Sequence, residues 1–323
     1  MKHEPKPDPG APHVAALHAV ALDAAYAECR AISRREAKNF YYAFVALPMP
    51  RRNAICAIYA FMRRADDLAD DESLMREDRG VRLGAWLADW RAFCGGSVSN
   101  DPATADPVFF AVRDATERFG IPLILLDELI AGVTMDVQRP AGDAPDTYAT
   151  FDDLYRYCYL VASVVGLVCI RIFGYQDQRA EKLAEKTGIA FQLTNILRDV
   201  AEDASRNRVY LPMEDLARHG VSLDSLLHRA PNAPPTASER ALIEEIAGRA
   251  EEFYESAQLL LPLIDRESRP ALWVLVRIYH ALLKRIEGAD YDVFSRRASV
   301  PMREKVGILV AGLARMWWVR VVN

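Results

Sequence analysis

The chain has 323 residues, 51% of them hydrophobic, with 45 acidic against 40 basic side chains and a formal charge of -5. With a mean hydropathy of -0.05, this composition excludes a wholly disordered chain and describes a soluble globular protein with a sizeable core. It also gives no basic footprint for nucleic acid, because Arg34/Arg35, Arg51/Arg52, Arg63/Arg64 and Arg296/Arg297 are short, isolated pairs.

In chain order, residues 1–13 (MKHEPKPDPGAPH) hold four prolines and no apolar stretch, so they read as a disordered tail and not as a signal peptide. Residues 14–323 read as one domain. Apolar residues recur at helical spacing over 14–45, 51–71, 75–93, 107–119, 122–138, 151–173, 178–204, 236–262, 265–288 and 301–320. Ser, Thr or Asp stands at several starts, and GGSVSNDPATADP (95–107), RPAGDAPDT (139–147) and PNAPPT (231–236) break the pattern. No alternating strand is evident. The most apolar segments are spread along the whole length, which predicts a single all-α domain around one core. The apolar run Cys158 to Ile170 has 13 residues, short of the roughly 20 a spanning helix needs, and is expected to be a buried central helix.

The five cysteines (29, 56, 94, 158, 169) never fall in CxxC spacing, and the six histidines show no ligand spacing. A reducing cytoplasm fits the first observation, and the second leaves oxygen as the donor for any metal.

Two acidic stretches carry the chemistry. In MRRADDLADDE (Met62 to Glu72), Asp66/Asp70 and Asp67/Asp71 are i,i+4 pairs following an apolar run, and such like-charge pairs cost a helix about 0.2–0.5 kcal/mol each. In FQLTNILRDVAEDASRNRVYLP (Phe191 to Pro212), Gln192, Asn195, Asp199 and Asp203 form one polar stripe on a helix otherwise made of Leu193, Ile196, Leu197 and Val200. Two carboxylate pairs facing one another across a bundle interior would grip a hard cation. Magnesium suits them, since it binds through one or two carboxylates plus substrate phosphates. Arg63, Arg198 and Arg208 supply guanidinium forks for phosphate oxygens, so the expected ligand is a diphosphate. Phe40, Tyr41, Tyr42, Phe44, Tyr157, Phe191 and Tyr279 are candidate walls of an apolar cavity in which a carbocation could form beside a departing diphosphate.

With both motifs placed, the chain resembles the squalene/phytoene synthase family from about Ala37 to Arg297. FYYAFVALP, IYAFMRRADDLADD, YCYLVASVVG, QLTNILRDVAEDASRNRVYLP and RIYHALLKRI match its blocks in order. The resemblance implies an isoprenoid synthase (terpene synthase-like) helical bundle with a central apolar cavity. It implies Asp66, Asp70, Asp199 and Asp203 as magnesium ligands, supported by Asn195 and Gln192, and Arg63, Arg198, Arg208 and Arg296 as diphosphate contacts. Two or three magnesium ions are expected, manganese being a substitute, and NADPH is not expected. Tyr157 and Tyr279 match active-site tyrosines, and Ala162 and Gly166 on the central helix are expected to leave room for prenyl chain. Where many members have serines, this chain has Ala37-Lys38-Asn39, and Asn39 takes over the phosphate contact in this reading. Asp66 to Asp70 also fits the DDxxD pattern of head-to-tail prenyltransferases and terpene cyclases, but the second motif and its RVYLP sequel argue against both.

The AKNFYYAFVALP opening and the compact length most resemble the bacterial presqualene diphosphate synthase branch of that family, which implies two farnesyl diphosphates joined to presqualene diphosphate, on the route to squalene and hopanoids. The alternatives are a phytoene synthase using two geranylgeranyl diphosphates for carotenoids, a dehydrosqualene or squalene synthase and, in another class, a non-catalytic helical lipid-binding protein. Downstream isoprenoid enzymes are expected partners. The segment VGILVAGLARMWWVRVV reads either as a packed last helix or as an interfacial one, which would add peripheral contact with the inner face of the membrane to a cytoplasmic location.

Overall fold

The computed structural model describes residues 11–71, 73–96, 105–138, 145–230 and 232–321. The expected tail falls mostly on residues 1–10, outside that set. Helix α1 (Ala11–Glu36) is followed by α2 (Lys38–Val45), α3 (Met49–Ala69), α4 (Arg76–Cys94), α5 (Pro107–Phe119) and α6 (Leu123–Gln138). After strand β1 (Asp146–Thr147), α7 (Phe151–Cys158), a π turn (Tyr159–Ser163) and α8 (Val164–Phe173) form one continuous rod. Then come α9 (Arg179–Ser205), β2 (Arg208–Val209), α10 (Met213–His219), α11 (Leu223–Leu227), α12 (Ala237–Leu260), α13 (Arg269–Gly288) and α14 (Met302–Val321). The expected all-α class holds.

Local chemistry sets the starts. Thr150 and Thr236 close capping boxes with Asp153 and Glu239, and Asp106 accepts from the Val108 and Phe109 amides ahead of α5. α9 runs through the middle of the bundle, packed on the α7–α8 rod, α12 and α13, while α1, α3 and α5 form a second packed group joined to the rod through α3 and α6. The rod is long and apolar enough to cross a membrane. Its Leu154, Tyr157, Cys158, Ser163, Val164 and Val168 are buried against these neighbours, as the sequence led us to expect of a core helix.

Four expectations need correction. The single helix over 14–45 is two, because the chain leaves helical geometry at Ala37 (φ -75°, ψ 6°), and the restart swings α2 against α13. The helix over 51–71 stops at Ala69 with Asp70 as its C-cap, since the Asp71 carboxylate turns to accept from the Ser73 amide at 3.1 Å. The segments 139–147 and 206–212 are not loop throughout: they meet as a two-residue parallel pair, Asp146 opposite Arg208 and Thr147 opposite Val209. Short helices α10 and α11 fill what read as connection.

The π turn is clamped from both sides by glycines. A Cβ at Gly132 on α6 would lie 3.1 Å from the Leu160 backbone, and one at Gly188 on α9 would lie 2.6 Å from Ser163 Cα. The Ser163 hydroxyl also donates to the Glu185 carbonyl at 2.7 Å, so α9 and the rod touch backbone to backbone. Gly188→Ala forces that contact apart. It should cost about 1–3 kcal/mol, read as a lower urea midpoint, and an unchanged midpoint would contradict the packing.

Candidate active site

The first acidic motif lies at the end of α3. Asp66 and Asp70 border a cavity of about 190 Å³ with Met62, Ala69, Leu129, Gly132, Val133, Tyr157, Leu160 and Val161. Asp67 points elsewhere and pairs with Arg63 at 2.6 Å. The like-charge cost read from the sequence is therefore relieved twice, by that ion pair and by the helix ending before Asp71. The Nε of Arg63 is buried and has no hydrogen-bond partner among the described residues, a donor left open on a motif that also presents carboxylates.

The second motif lies in the last turns of α9. Asp199, its side chain 17% exposed, accepts from Arg198 through Nε at 2.8 Å and Nη2 at 2.5 Å, and from Arg297 Nε at 2.8 Å. Burial works to raise its carboxyl, but the hydrogen bonds and charges of Arg198 and Arg297 outweigh it and hold the group below its ordinary value. One turn on, burial and then the Asp199 charge push Asp203 up to about 7, against the opposing field of Arg208. Arg208 itself is oriented from β2, 3.9 Å from Asp146. Asn195 donates to Gln192 Oε1 at 3.4 Å, and its own Oδ1 is buried with no partner among the described residues. An unsatisfied buried oxygen beside carboxylates is a cost in the free protein and a ligand for a cation.

Two aromatic bridges run between the motifs. Tyr157, on the wall beside Asp66 and Asp70, stacks on Tyr210 at 5.1 Å with their hydroxyls 3.4 Å apart. Tyr210 in turn borders a small cavity with Asp203 and Arg208. On the other side, Phe191 stacks on Tyr279 at 4.6 Å, and Phe40 meets Tyr279 at 5.6 Å and Phe44 at 6.4 Å. Burial pushes the Tyr279 hydroxyl up to about 12 against Arg198 and a hydrogen bond to Asn195; Tyr59, pushed up to about 12 by its own burial, feels both Arg63 and Asp66.

Some expected residues stand apart. Tyr41 and Tyr42 do not join the aromatic wall; they line an outer cleft of about 600 Å³ with Arg34, Arg35, Arg198, Arg297 and Lys305. Gly166 makes no room for prenyl chain, because a Cβ there would meet the Ala184 carbonyl at 3.1 Å, and the Ala162 carbonyl likewise faces Gly188. Leu160 and Val161 form the cavity wall instead. Arg296 is exposed, and its neighbour Arg297 is the one on Asp199. Arg297, Tyr210 and Asp146 are site residues the sequence reading missed. The side chain of Asn39 lies outside the described residues.

Among the described residues no three His, Cys, Asp or Glu side chains cluster as a ready-made metal cage. The oxygen donors present are carboxylate pairs and the open Asn195 oxygen, with guanidinium forks beside them for phosphate. They fit a magnesium-like ion that completes its shell with water and phosphate oxygens.

A family model described as squalene/phytoene synthase matches residues 33–304. The chain is 35% identical over 293 residues to the phytoene synthase of Mycobacterium tuberculosis, covering 91% of this chain and 92% of that one. It is 33% identical over 318 residues to the 15-cis-phytoene synthase of Synechocystis sp., covering 95% and 88%. Among solved structures, a ligand-bound dehydrosqualene synthase superposes with a TM-score of 0.77 at 31% identity, covering 91% of this chain and 97% of that one. A squalene synthase, HpnC, from Alicyclobacillus acidocaldarius gives 0.73 at 26% identity, covering 84% and 97%.

The Asp203 carboxyl yields a prediction with a definite sign. Its folded pKa stands above the ordinary 3.8, so between about pH 4 and pH 7 the native state holds a proton the unfolded chain has lost. Stability from this group is full below that window and lost as pH rises through it. Asp203→Asn mimics the protonated acid. In chelator, its melting temperature should exceed that of the wild type by more at pH 8 than at pH 5; an equal gap at both would overturn the burial assignment.

Proposed function

The chain belongs to the squalene/phytoene synthase family, prenyltransferases that join two prenyl diphosphates head to head with a divalent metal, and we propose that its substrate is geranylgeranyl diphosphate and its product phytoene. The relatives named phytoene synthase support this choice. Compact length no longer argues for the shorter substrate, since the match spans 92% of the Mycobacterium tuberculosis phytoene synthase. The likeness to a dehydrosqualene synthase supports a second reading, in which two farnesyl diphosphates give presqualene diphosphate or a C30 triene.

The observation that carries the reaction class is the bridge of Tyr157 and Tyr210 between the cavity at Asp66/Asp70 and the pocket at Asp203/Arg208. In this reading Asp66, Asp70, Asn195, Asp199 and Asp203 would hold a divalent cation, magnesium first, which would supply charge stabilisation for the departing diphosphate. Arg63, Arg198 and Arg208 bind the diphosphate oxygens in bidentate fashion. The C1–O bond of one substrate breaks, the allylic cation is attacked by the C2–C3 double bond of the second, and a proton is lost to close the cyclopropane ring. A second ionisation then releases the other diphosphate, and rearrangement with loss of a further proton gives the triene. No reductant enters, so NADPH is not required. The faces of Phe40, Phe191 and Tyr279 stabilise cationic carbon and keep water from it.

Incubation of the purified protein and magnesium with each prenyl diphosphate in turn, with and without NADPH, followed by mass spectrometry of the products, tests this. Phytoene from the C20 substrate, unchanged by NADPH and lost in Asp199→Ala, is expected. Turnover of farnesyl diphosphate alone would replace the substrate assignment, and full activity in Asp199→Ala would overturn the site.

We also propose that α14 rests on an anionic membrane, into which so apolar a product must pass. Its outward Met302, Val306 and Val310 are 64%, 43% and 59% exposed, recurring every fourth residue, with the exposed Arg303 beside the first and Arg315 beyond the last. An apolar stripe with basic ends suits an anionic bilayer surface. The side chains of Trp317 and Trp318 lie outside the described residues. Wild-type protein should co-sediment with vesicles containing phosphatidylglycerol, and a Val306→Glu, Val310→Glu double variant should stay in the supernatant; wild type that fails to sediment would exclude the contact.

A further inference from the structure

Asp199 carries more counter-charge than one carboxylate needs. Its Oδ1 accepts from Arg198 Nε and Arg297 Nε, both at 2.8 Å, with Arg297 Nη2 at 2.7 Å, while Oδ2 accepts from Arg198 Nη2 at 2.5 Å. Oδ1 has its acceptor sites filled while Oδ2 has a single partner, so a cation ligated at Oδ1 must displace a guanidinium. The two arginines are not equivalent. Arg198 is the adjacent residue on the same helix, its side chain 19% exposed. Arg297 comes from the non-helical segment between α13 and α14, its side chain is 56% exposed, and it leans on Glu202 at 3.3 Å. It also opens onto the outer cleft with Arg34, Arg35, Arg198 and Lys305, so it has somewhere to go.

We propose that Arg297 is an exchangeable counter-ion for Asp199: in the metal-free protein it covers Oδ1, an oxygen a divalent cation would take, and it transfers to diphosphate oxygens when cation and diphosphate arrive together. The inference rests on the metal–diphosphate reading of the site. A bare cation taking Oδ1 evicts Arg297 and leaves it the longer Glu202 contact, beside a second positive charge. When the cation brings a diphosphate, the displaced guanidinium gains a bidentate anionic partner instead. Arg297 therefore penalises the bare ion and favours the pair, a coupling free energy between two ligands of one site. It is a positioning residue, acting on the metal through Asp199 and on the substrate through its diphosphate.

The test uses the full-length protein without prenyl substrate. Bare Mn²⁺ is titrated onto wild type, Arg297→Gln and Arg297→Lys and followed by the paramagnetic resonance signal of free Mn²⁺; inorganic diphosphate binding at fixed Mn²⁺ is measured by equilibrium dialysis. Arg297→Gln should bind bare Mn²⁺ about fivefold or more tighter than wild type, a shift at the low end of ordinary couplings, and should bind diphosphate more weakly. Arg297→Lys, which keeps the charge but not the fork, should fall between on both. A purely structural role would weaken both ligands together, so that result, or unchanged affinities, overturns the proposal while sparing the site. Wild type that retains neither ion, even with both present, would overturn the site reading and the proposal together.

Discussion

Carboxylates set along the inner face of apolar helices are tolerable only where something of opposite charge, or a proton, meets each of them. α9 is buried at Ile189, Ala190, Leu193, Ile196, Leu197 and Val200, and Asp199 and Asp203 lie on the same rod. Asp199 is met by two guanidinium groups and Asp203 by a proton and the field of Arg208. The bundle holds a second buried acid that shows the contrast. Asp215, fully buried, takes both oxygens of its carboxylate to Arg249 at 2.6 and 2.9 Å and a further contact from Arg218 at 2.8 Å, which also pairs with Glu245. That network is closed and ties α10 to α12. The α9 network leaves the Asn195 oxygen open, and α3 leaves the Arg63 Nε open. The difference between a structural charge cluster and a binding one here is whether its hydrogen-bonding capacity is already used.

The aromatic side chains link packing to chemistry. Tyr157 packs in a cluster with Tyr148 and Tyr210, which also stack on each other, so a residue of the central rod is fixed against the β1–β2 pair that orients Arg208. The π turn that follows aims Leu160 and Val161 at the cavity because α6 and α9 can approach its backbone only through Gly132 and Gly188. The apolar wall and the carboxylate edge are thus parts of one packed unit, which is the rigidity a site needs if it is to hold a reactive carbocation away from water.

Long helices were legible in the sequence because a 3.6-residue period repeats many times in each, and both acidic motifs were legible because polar groups at i, i+4 interrupt an apolar helix. What escaped has no period. A two-residue strand pair carries none, and Asp146 reads as loop until Arg208 is seen opposite it. Ala37 breaks α1 from α2 with neither Gly nor Pro to announce it. Choosing between Arg296 and Arg297 needs the turn after α13, where Asp290 and Tyr291 adopt positive φ and the Asp292 carboxylate accepts from the Phe294 and Ser295 amides. That geometry decides which of two adjacent, exposed arginines reaches Asp199. Gly166 and Gly188 show the same ambiguity from another side: a missing side chain can leave space for a ligand or for a neighbouring backbone, and only the fold says which.

Both acidic motifs occupy the last turns of their helices, Asp66 and Asp70 at the end of α3 and Asp199 and Asp203 near the end of α9. The unpaired carbonyls of a helix C-terminus add partial negative charge to that of the side chains. Each motif therefore sums carboxylates and a helix end in one direction. Arginines offset the sum only locally: Arg79 donates to the Ala69 carbonyl at 3.1 Å, Arg63 is turned to Asp67, and Arg198 is spent on its own neighbour. A guanidinium spreads its charge over a plane and reaches one motif from one side. Under the proposed reading, a compact divalent ion would give the carboxylates and a diphosphate two charges to share, and the arginines it displaced would stand beside the phosphate oxygens.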